Sequence, residues 1–369
     1  MSDSDSLPDD PAAPRSLHSA IDPEDRASLR FTRVFLALVL AGLATSAAVA
    51  LLVDPMRTFG TGRVPSVLTS EHMAKPEAFL RLDPPAQAIV LGSSRVMKIR
   101  PACLAELTGV PAFNFGLSSS HVEDLVAAYR FARARGGRPL RALVIGVDVE
   151  AFDDHAEPDP RLLSSRYLRA YLDGGSHLSW SAASRALFGW QAFRYGLSSL
   201  WHQLRPSRAL PRMHFDGDGF VTYDVWETAQ REGRFDPVPE FARVKAQLLG
   251  PLSGREFDAL SAERVALFQD MVRSAHAAGI QVDVYIPPLH PRLADVRTGP
   301  IVARTAELEA LLGALEREGA LRWFRIHRIE DVHGDPAGYF DGIHMSEANS
   351  TRVLLAMFRR EHGCGIPPS

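Results

Sequence analysis

Three regimes of hydrophobic and polar residues follow one another along this chain. From Met1 to Asp25 large apolar residues are almost absent and Ser, Asp and Pro dominate, a composition that cannot offset the entropy of ordering. A disordered tail is therefore expected over 1–33, up to the start of the next regime. Val34 to Val53 carries no charge over twenty residues, the length of a helix crossing a hydrocarbon core of ~30 Å. Beyond it the pattern breaks into five short apolar or β-branched runs, Gln87–Leu91, Ala112–Phe115, Leu140–Val147, Gln281–Ile286 and Leu321–Ile326. Apolar residues at helical spacing fill Val122–Arg135, Ala262–Ala278 and Val302–Glu318, and a glycine suited to a C-cap follows each. Strand–helix alternation predicts an α/β domain over 54–369, built on a parallel five-stranded sheet covered on both faces.

The rhythm fails between about 151 and 254, which reads as an insertion between the third and fourth strands. Within it Trp180 to Trp201 suggests two amphipathic helices. Their aromatic residues (Trp180, Phe188, Trp190, Phe193, Tyr195 and Trp201) read first as helix core, with a sugar-binding cleft or a membrane surface as the alternatives. Asp216-Gly217-Asp218-Gly219 reads as a hairpin turn. A calcium loop from Asp216 to Glu227 would need an internal glycine spacing that is not met.

Charge adds an orientation to this picture. Arg26, Arg30 and Arg33 precede the apolar run closely, whereas Asp54, Arg57 and Arg63 follow it sparsely. The positive-inside bias then keeps the N-terminus cytoplasmic and exports everything after Val53, giving a single-pass protein of the cytoplasmic membrane. Ala48-Val49-Ala50 fits a signal-peptidase site, but the long polar leader and Leu51-Leu52-Val53 favour a retained anchor at 34–53. A net charge of −3 offers no basic footprint for nucleic acid. The two cysteines, Cys103 and Cys364, lack metal-site spacing. Export would permit them to pair, but sequence does not show that they approach, and two separate buried thiols are the simpler expectation.

In open parallel sheets ligands bind beyond the carboxyl ends of the strands, so the residues following each run matter most. The first run leads into Gly92-Ser93-Ser94-Arg95, the second into Gly116-Leu117-Ser118 and the third into Asp148. The last leads to Asp341-Gly342-Ile343-His344, with Ser346 placed to cap a final helix. Acyl transfer needs a nucleophile, a base, a group that orients the base, and donors for the oxyanion. Ser94, His344 and Asp341 fit the first three roles, and the backbone N–H groups of Ser94 and Gly116 fit the fourth. Each motif alone is common turn or capping chemistry; their occurrence together, in order and at strand ends, is what points to catalysis. His327, His333 and His344 do not share a face, so no metal site is expected. Glu123 and Asp124, following His121, fit a helix start.

These blocks resemble the SGNH or GDSL hydrolase superfamily. Gly92-Ser93-Ser94-Arg95 is similar to its first block with Ser for the usual Asp, Asn114-Phe115-Gly116 to its second, and Asp341-Gly342-Ile343-His344 to its last. The resemblance implies a flavodoxin-like three-layer α/β/α fold, a cofactor-free esterase or acyltransferase mechanism, and Ser94, Asp341 and His344 as the triad. One block departs: where the family places an Asn oxyanion donor, this chain has Asp148, which when ionised only accepts hydrogen bonds. Asp148 either pairs with Arg95 or meets solvent or another partner. The Gly-Ser-Ser-Arg form behind an N-terminal anchor, with Ile286-Pro287-Pro288-Leu289-His290 after the fourth strand, is similar to the branch that modifies exported polymers. That branch includes proteins of exopolysaccharide O-acetylation and of teichoic acid D-alanylation.

The resemblance implies work on a cell-surface polysaccharide with a multi-spanning membrane acyltransferase as partner. His290 then reads as a substrate contact or as a plain solvated loop residue. Two other readings stand beside it: a non-catalytic envelope scaffold binding glycan or a membrane protein, favoured by Asp148 and the aromatic segment, and a lipase acting on long acyl chains.

Overall fold

The computed structural model describes residues 23–55, 58–64, 70–172, 180–205, 213–249, 257–294 and 300–365. The chain divides into two units, Met1–Ala48 and Val49–Ser369. A 31-residue helix, Pro23–Val53, fills the described part of the first unit and ends in the second. Its Ala27–Val53 portion is long and apolar enough to cross a membrane. The helix begins well before Val34, which corrects the expectation of a disordered tail for residues 23–33; residues 1–22 lie outside the described residues. Proline is compatible with a first helical turn, where its missing N–H has no partner to lose.

The second unit is built on five parallel strands, β1 (Ala88–Gly92), β2 (Ala112–Asn114), β3 (Ala142–Gly146), β6 (Gln281–Tyr285) and β7 (Arg322–Phe324), in the order β2-β1-β3-β6-β7. A small antiparallel hairpin, β4 (His214–Phe215) and β5 (Val221–Thr222), flanks the Asp216–Gly219 turn as expected. Each main strand lies within or overlaps one of the five apolar runs. Those runs are nearly continuous because β1 and β3 are buried on both faces, so alternation is suppressed. Ile89, Leu91, Leu143, Ile145 and Val284 point to one core, with residues of helices Val122–Arg135, Ala262–Ala277 and Pro300–Arg317. Ala88, Val90, Ala142 and Val144 point to the other, with helices Pro101–Thr108 and Glu347–Met357.

Two expectations about packing are corrected. Cys103 and Cys364 form a disulfide with Cα atoms 5.0 Å apart. The first is on the Pro101–Thr108 helix and the second just after the final helix, and both helices serve the same core. The aromatic segment does form two helices, Trp180–Phe188 and Trp190–Leu204, but Trp180, Phe188, Trp190 and Trp201 are exposed rather than core. The inward positions are taken by the small residues Ala192 and Ser199.

A cluster of buried charges lies under the helix Glu71–Leu80. Asp124 Oδ2 accepts the His121 N–H at 2.8 Å, the expected capping contact, while Oδ1 holds His72 Nε2 at 2.8 Å. Glu71 accepts from Ser118 and lies 3.6 Å from Arg161. Lys75 is different. Its Nζ has no hydrogen-bond partner among the described residues and stands 5.3 Å from the centre of the Phe215 ring. Burial lowers its pKa to about 7, with Glu71 and Asp218 opposing. The unfolded chain keeps this proton up to about pH 10.5, so between roughly pH 7 and 10.5 the unfolded state binds more protons and stability rises with pH. The rise is expected to be on the order of a few kcal/mol and to vanish in Lys75→Met. Thermal denaturation of the two proteins in detergent from pH 7 to 10 measures it; parallel pH profiles would refute it.

Candidate active site

The site forms where β1 ends. Gly92 has φ 150°, and a Cβ there would lie 2.5 Å from the Gly146 carbonyl oxygen and within 3 Å of both Val96 methyls. Only glycine permits that approach. The chain then enters a 3-10 turn, Ser94–Val96, capped by Ser93 Oγ accepting the Arg95 N–H. Asn114, at the end of β2, ties this turn down: its Nδ2 donates to the Val96 and Ile99 carbonyls at 2.9 and 2.8 Å. The Leu117 N–H donates to Gly92 O at 2.9 Å, setting the loop after β2 beside the turn.

The opposite half comes from the loop before the final helix. Asp341 Oδ1 accepts the N–H groups of Ile343 and His344, at 3.2 and 2.9 Å, in a local turn that Gly342 makes possible at φ 91°. The remaining oxygen, Oδ2, meets His344 Nδ1 at 2.7 Å. His344 Nε2 meets Ser94 Oγ at 2.7 Å. The three residues singled out in sequence thus stand in one hydrogen-bonded succession, across a separation of 250 residues between Ser94 and His344. Burial works to raise the Asp341 carboxyl, but the His344 hydrogen bond and charge, with the two backbone donors, hold it below its ordinary range. An ionised Asp341 fixes the proton of His344 on Nδ1 and leaves Nε2 as acceptor for the Ser94 hydroxyl. Ser346 caps the helix behind, accepting the Asn349 N–H.

The other expected residues fall less simply. Arg95 pairs with Asp148, Nη1 to Oδ1 at 3.0 Å, and with Glu150 at 3.3 Å, so of the two alternatives for Asp148 the ion pair is present. Burial raises the Asp148 carboxyl, with Arg95 opposing and Glu150 adding to it. Burial would lower the Arg95 guanidinium, yet the two acids together hold it above its usual value. The Gly116 N–H, expected to face an oxyanion, instead donates to Asn114 Oδ1 at 2.8 Å. That corrects its reading as an open donor: the asparagine side chain two residues earlier curls back onto it.

Residues with no signal in the sequence complete the surroundings. The Tyr223 hydroxyl donates to the Ser94 carbonyl at 3.3 Å, and the rings of Tyr223 and Trp226 each stand 5.8 Å from His344. Trp226 stacks on Phe340. On the other side Arg243 Nη2 lies 3.6 Å from Asp341 Oδ2, and Phe241 packs edge-on against His290 at 5.1 Å. His290 is half-buried, between Phe241 and Tyr339, and its N–H donates to Gly342 O. These walls belong to residues 213–249, whose amphipathic patterns announce helices but not what the helices dock against.

No family model matches the chain, and no curated protein matches it. Arg95→Ala is expected to destabilise the protein by about 3–5 kcal/mol, because Asp148 is left buried without its counter-charge. Urea denaturation in detergent measures this; a change below about 1 kcal/mol would mean the pair is solvated.

Proposed function

We propose that the chain is a membrane-anchored serine acyl esterase or O-acyltransferase acting on an exported cell-surface polysaccharide. The observation that carries this is the unbroken relay of Ser94 Oγ, His344 and Asp341, with both links at 2.7 Å. Ser94 attacks an acyl carbonyl, His344 takes the hydroxyl proton on Nε2 and returns it to the leaving group, and Asp341 stabilises the imidazolium in between. Water as second acceptor gives hydrolysis; a sugar hydroxyl gives transfer. No cofactor is required by these steps.

Several features support the remainder of the reading. The order β2-β1-β3-β6-β7 supports the flavodoxin-like reading, and Tyr223, Trp226 and Arg243, which stand beside the site, fall within the proposed insertion at 151–254. The motif resemblance to SGNH hydrolases points the same way. Helix Ala27–Val53, preceded by Arg26, supports a single-pass anchor in the cytoplasmic membrane with the catalytic unit outside, where a disulfide persists. A multi-spanning membrane acyltransferase is then the partner that supplies the acyl group. The scaffold reading keeps one specific support: the Gly116 N–H is engaged by Asn114 and Asp148 is held by Arg95, so neither stands free as an oxyanion donor.

A fluorophosphonate probe separates these readings. Intact-mass analysis of the detergent-solubilised chain is expected to show one adduct, absent from Ser94→Ala, with labelling of His344→Ala slowed at least ~10³-fold. A folded wild-type protein that stays unlabelled, or an adduct that survives Ser94→Ala, would defeat the catalytic reading and favour the scaffold.

A further inference from the structure

The helix Trp190–Leu204 is built inside out. Its inward face is Ala192, Gly196 and Ser199, all small, while Trp190, Arg194, Leu197, Trp201 and Leu204 form one outward stripe at helical spacing. Trp190 is 71% exposed, Trp201 58% and Leu204 78%, and Trp180 on the preceding helix reaches 85%. A water-facing helix of a globular protein shows the reverse arrangement. Among the described residues from Val53 onward, every exposed tryptophan lies in this helix pair.

Two independent observations bear on what could cover the stripe. The first is position. The bare Cα of Gly196 packs against Val49, and a Cβ there would come within 2.5 Å of Val49 Cγ1. Val49 lies four residues before the end of the apolar helix at Val53, about 6 Å along its axis. The inward face of helix Trp190–Leu204 therefore packs on the last turns of the apolar helix, close to its end. The second is charge. Residues 180–205 contain Arg185, Arg194, Arg205 and His202 but no Asp or Glu. Arg205 stacks on Trp201 at 5.0 Å and Arg194 on Tyr195 at 5.2 Å, as arginines do when they run beside aromatic rings toward a polar layer.

We propose that helices Trp180–Phe188 and Trp190–Leu204 lie in the interface of the bilayer, with Trp180, Trp190, Leu197, Trp201 and Leu204 among the lipids and Arg194 and Arg205 at anionic headgroups. Tryptophan favours that depth, and a basic amphipathic helix without acids binds anionic leaflets. The second unit is thus held to the membrane at two places, the end of the anchor and this helix pair. A tether at one point would let the unit swing; two points fix which side of it faces the membrane. The inference uses the anchor but not the proposed chemistry at Ser94.

The test places the full chain in nanodiscs of phosphatidylcholine and phosphatidylglycerol, with and without brominated acyl chains, and reads tryptophan emission. Trp226 and Trp323 are the remaining tryptophans and act as internal unquenched emitters. The wild type is expected to lose emission in brominated discs, the Trp180→Phe, Trp190→Phe, Trp201→Phe variant to lose none, and Leu197→Glu with Leu204→Glu to lose clearly less at an unchanged Tm. Equal emission of the wild type in both kinds of disc would overturn the proposal and leave the stripe to a protein partner. So would equal quenching of the wild type and the triple variant. Co-elution of chain and disc reports the anchor separately, and the fluorophosphonate adduct reports the chemistry, so the three ideas fail independently.

Discussion

At the carboxyl end of the sheet two residues without side chains are paired, Gly92 of β1 with Gly146 of β3. Val96 fills the space their missing side chains leave: a Cβ on Gly146 would lie 2.3 Å from one of its methyls, and one on Gly92 within 3 Å of both. The turn that begins at Ser94 is therefore wedged against the strand ends by its own third residue, and Asn114 hydrogen bonds hold it from the other side. For the nucleophile role proposed for Ser94 a fixed direction matters, since a misplacement of about 1 Å costs roughly 100-fold in rate. Dense packing under Ser94 supplies that direction, which is why the His344 contact can be as short as 2.7 Å with Ser94 on a single 3-10 turn and His344 in a loop.

What could be read from sequence is what local chemistry determines. The five strands were legible as short, nearly continuous apolar runs, most fully in β1 and β3, which are buried on both faces, and three of the helices because glycine ends each pattern; helix Pro101–Thr108, between β1 and β2, was not read. The Asp341–His344 pair was legible for the same reason: both hydrogen bonds to Asp341 Oδ1 close within three residues, so the spacing alone contains the geometry. Tyr223, Trp226 and Arg243 were not legible, because their roles depend on how residues 213–249 dock over the sheet, and periodicity records which face is apolar but not its destination. The Cys103–Cys364 bridge failed on the same ground, at a separation of 261 residues. The tryptophan helix failed differently. The rule that large apolar residues point inward assumes water on the other side, and the stripe from Trp190 to Leu204 breaks the rule because lipid replaces water there in the arrangement proposed above.

Asp148, just after β3, and Asp341, in the loop before the final helix, are both buried carboxylates, and their surroundings push them in opposite directions. Asp341 gains two backbone donors and an imidazole, all favouring the charged form, and so suits the orienting role. Asp148 gains Arg95 but shares it with Glu150, whose like charge cancels part of the benefit. In the proposed chemistry this pair is structural: it anchors the residue next to the nucleophile from the β3 side, as Asn114 does from the β2 side.

In the proposed chemistry the Gly116 amide then decides how strong an oxyanion hole can be. Its present bond to Asn114 Oδ1 is a neutral hydrogen bond, worth about 1 kcal/mol net, although leaving that buried oxygen unpaired costs about 1–3 kcal/mol. One well-aimed donor to an oxyanion contributes about 2.7–4 kcal/mol in the transition state. Exchange of Asn114 for the oxyanion is therefore favourable or nearly balanced, and it becomes favourable only as charge develops on the substrate oxygen. A hole that closes this way discriminates against poorly held esters, which cannot keep their carbonyl beside Gly116 long enough to displace the asparagine. In the proposed chemistry a substrate held beside Tyr223, Trp226 and Arg243 can, so a hole gated by Asn114 favours transfer between well-bound partners over hydrolysis of small esters.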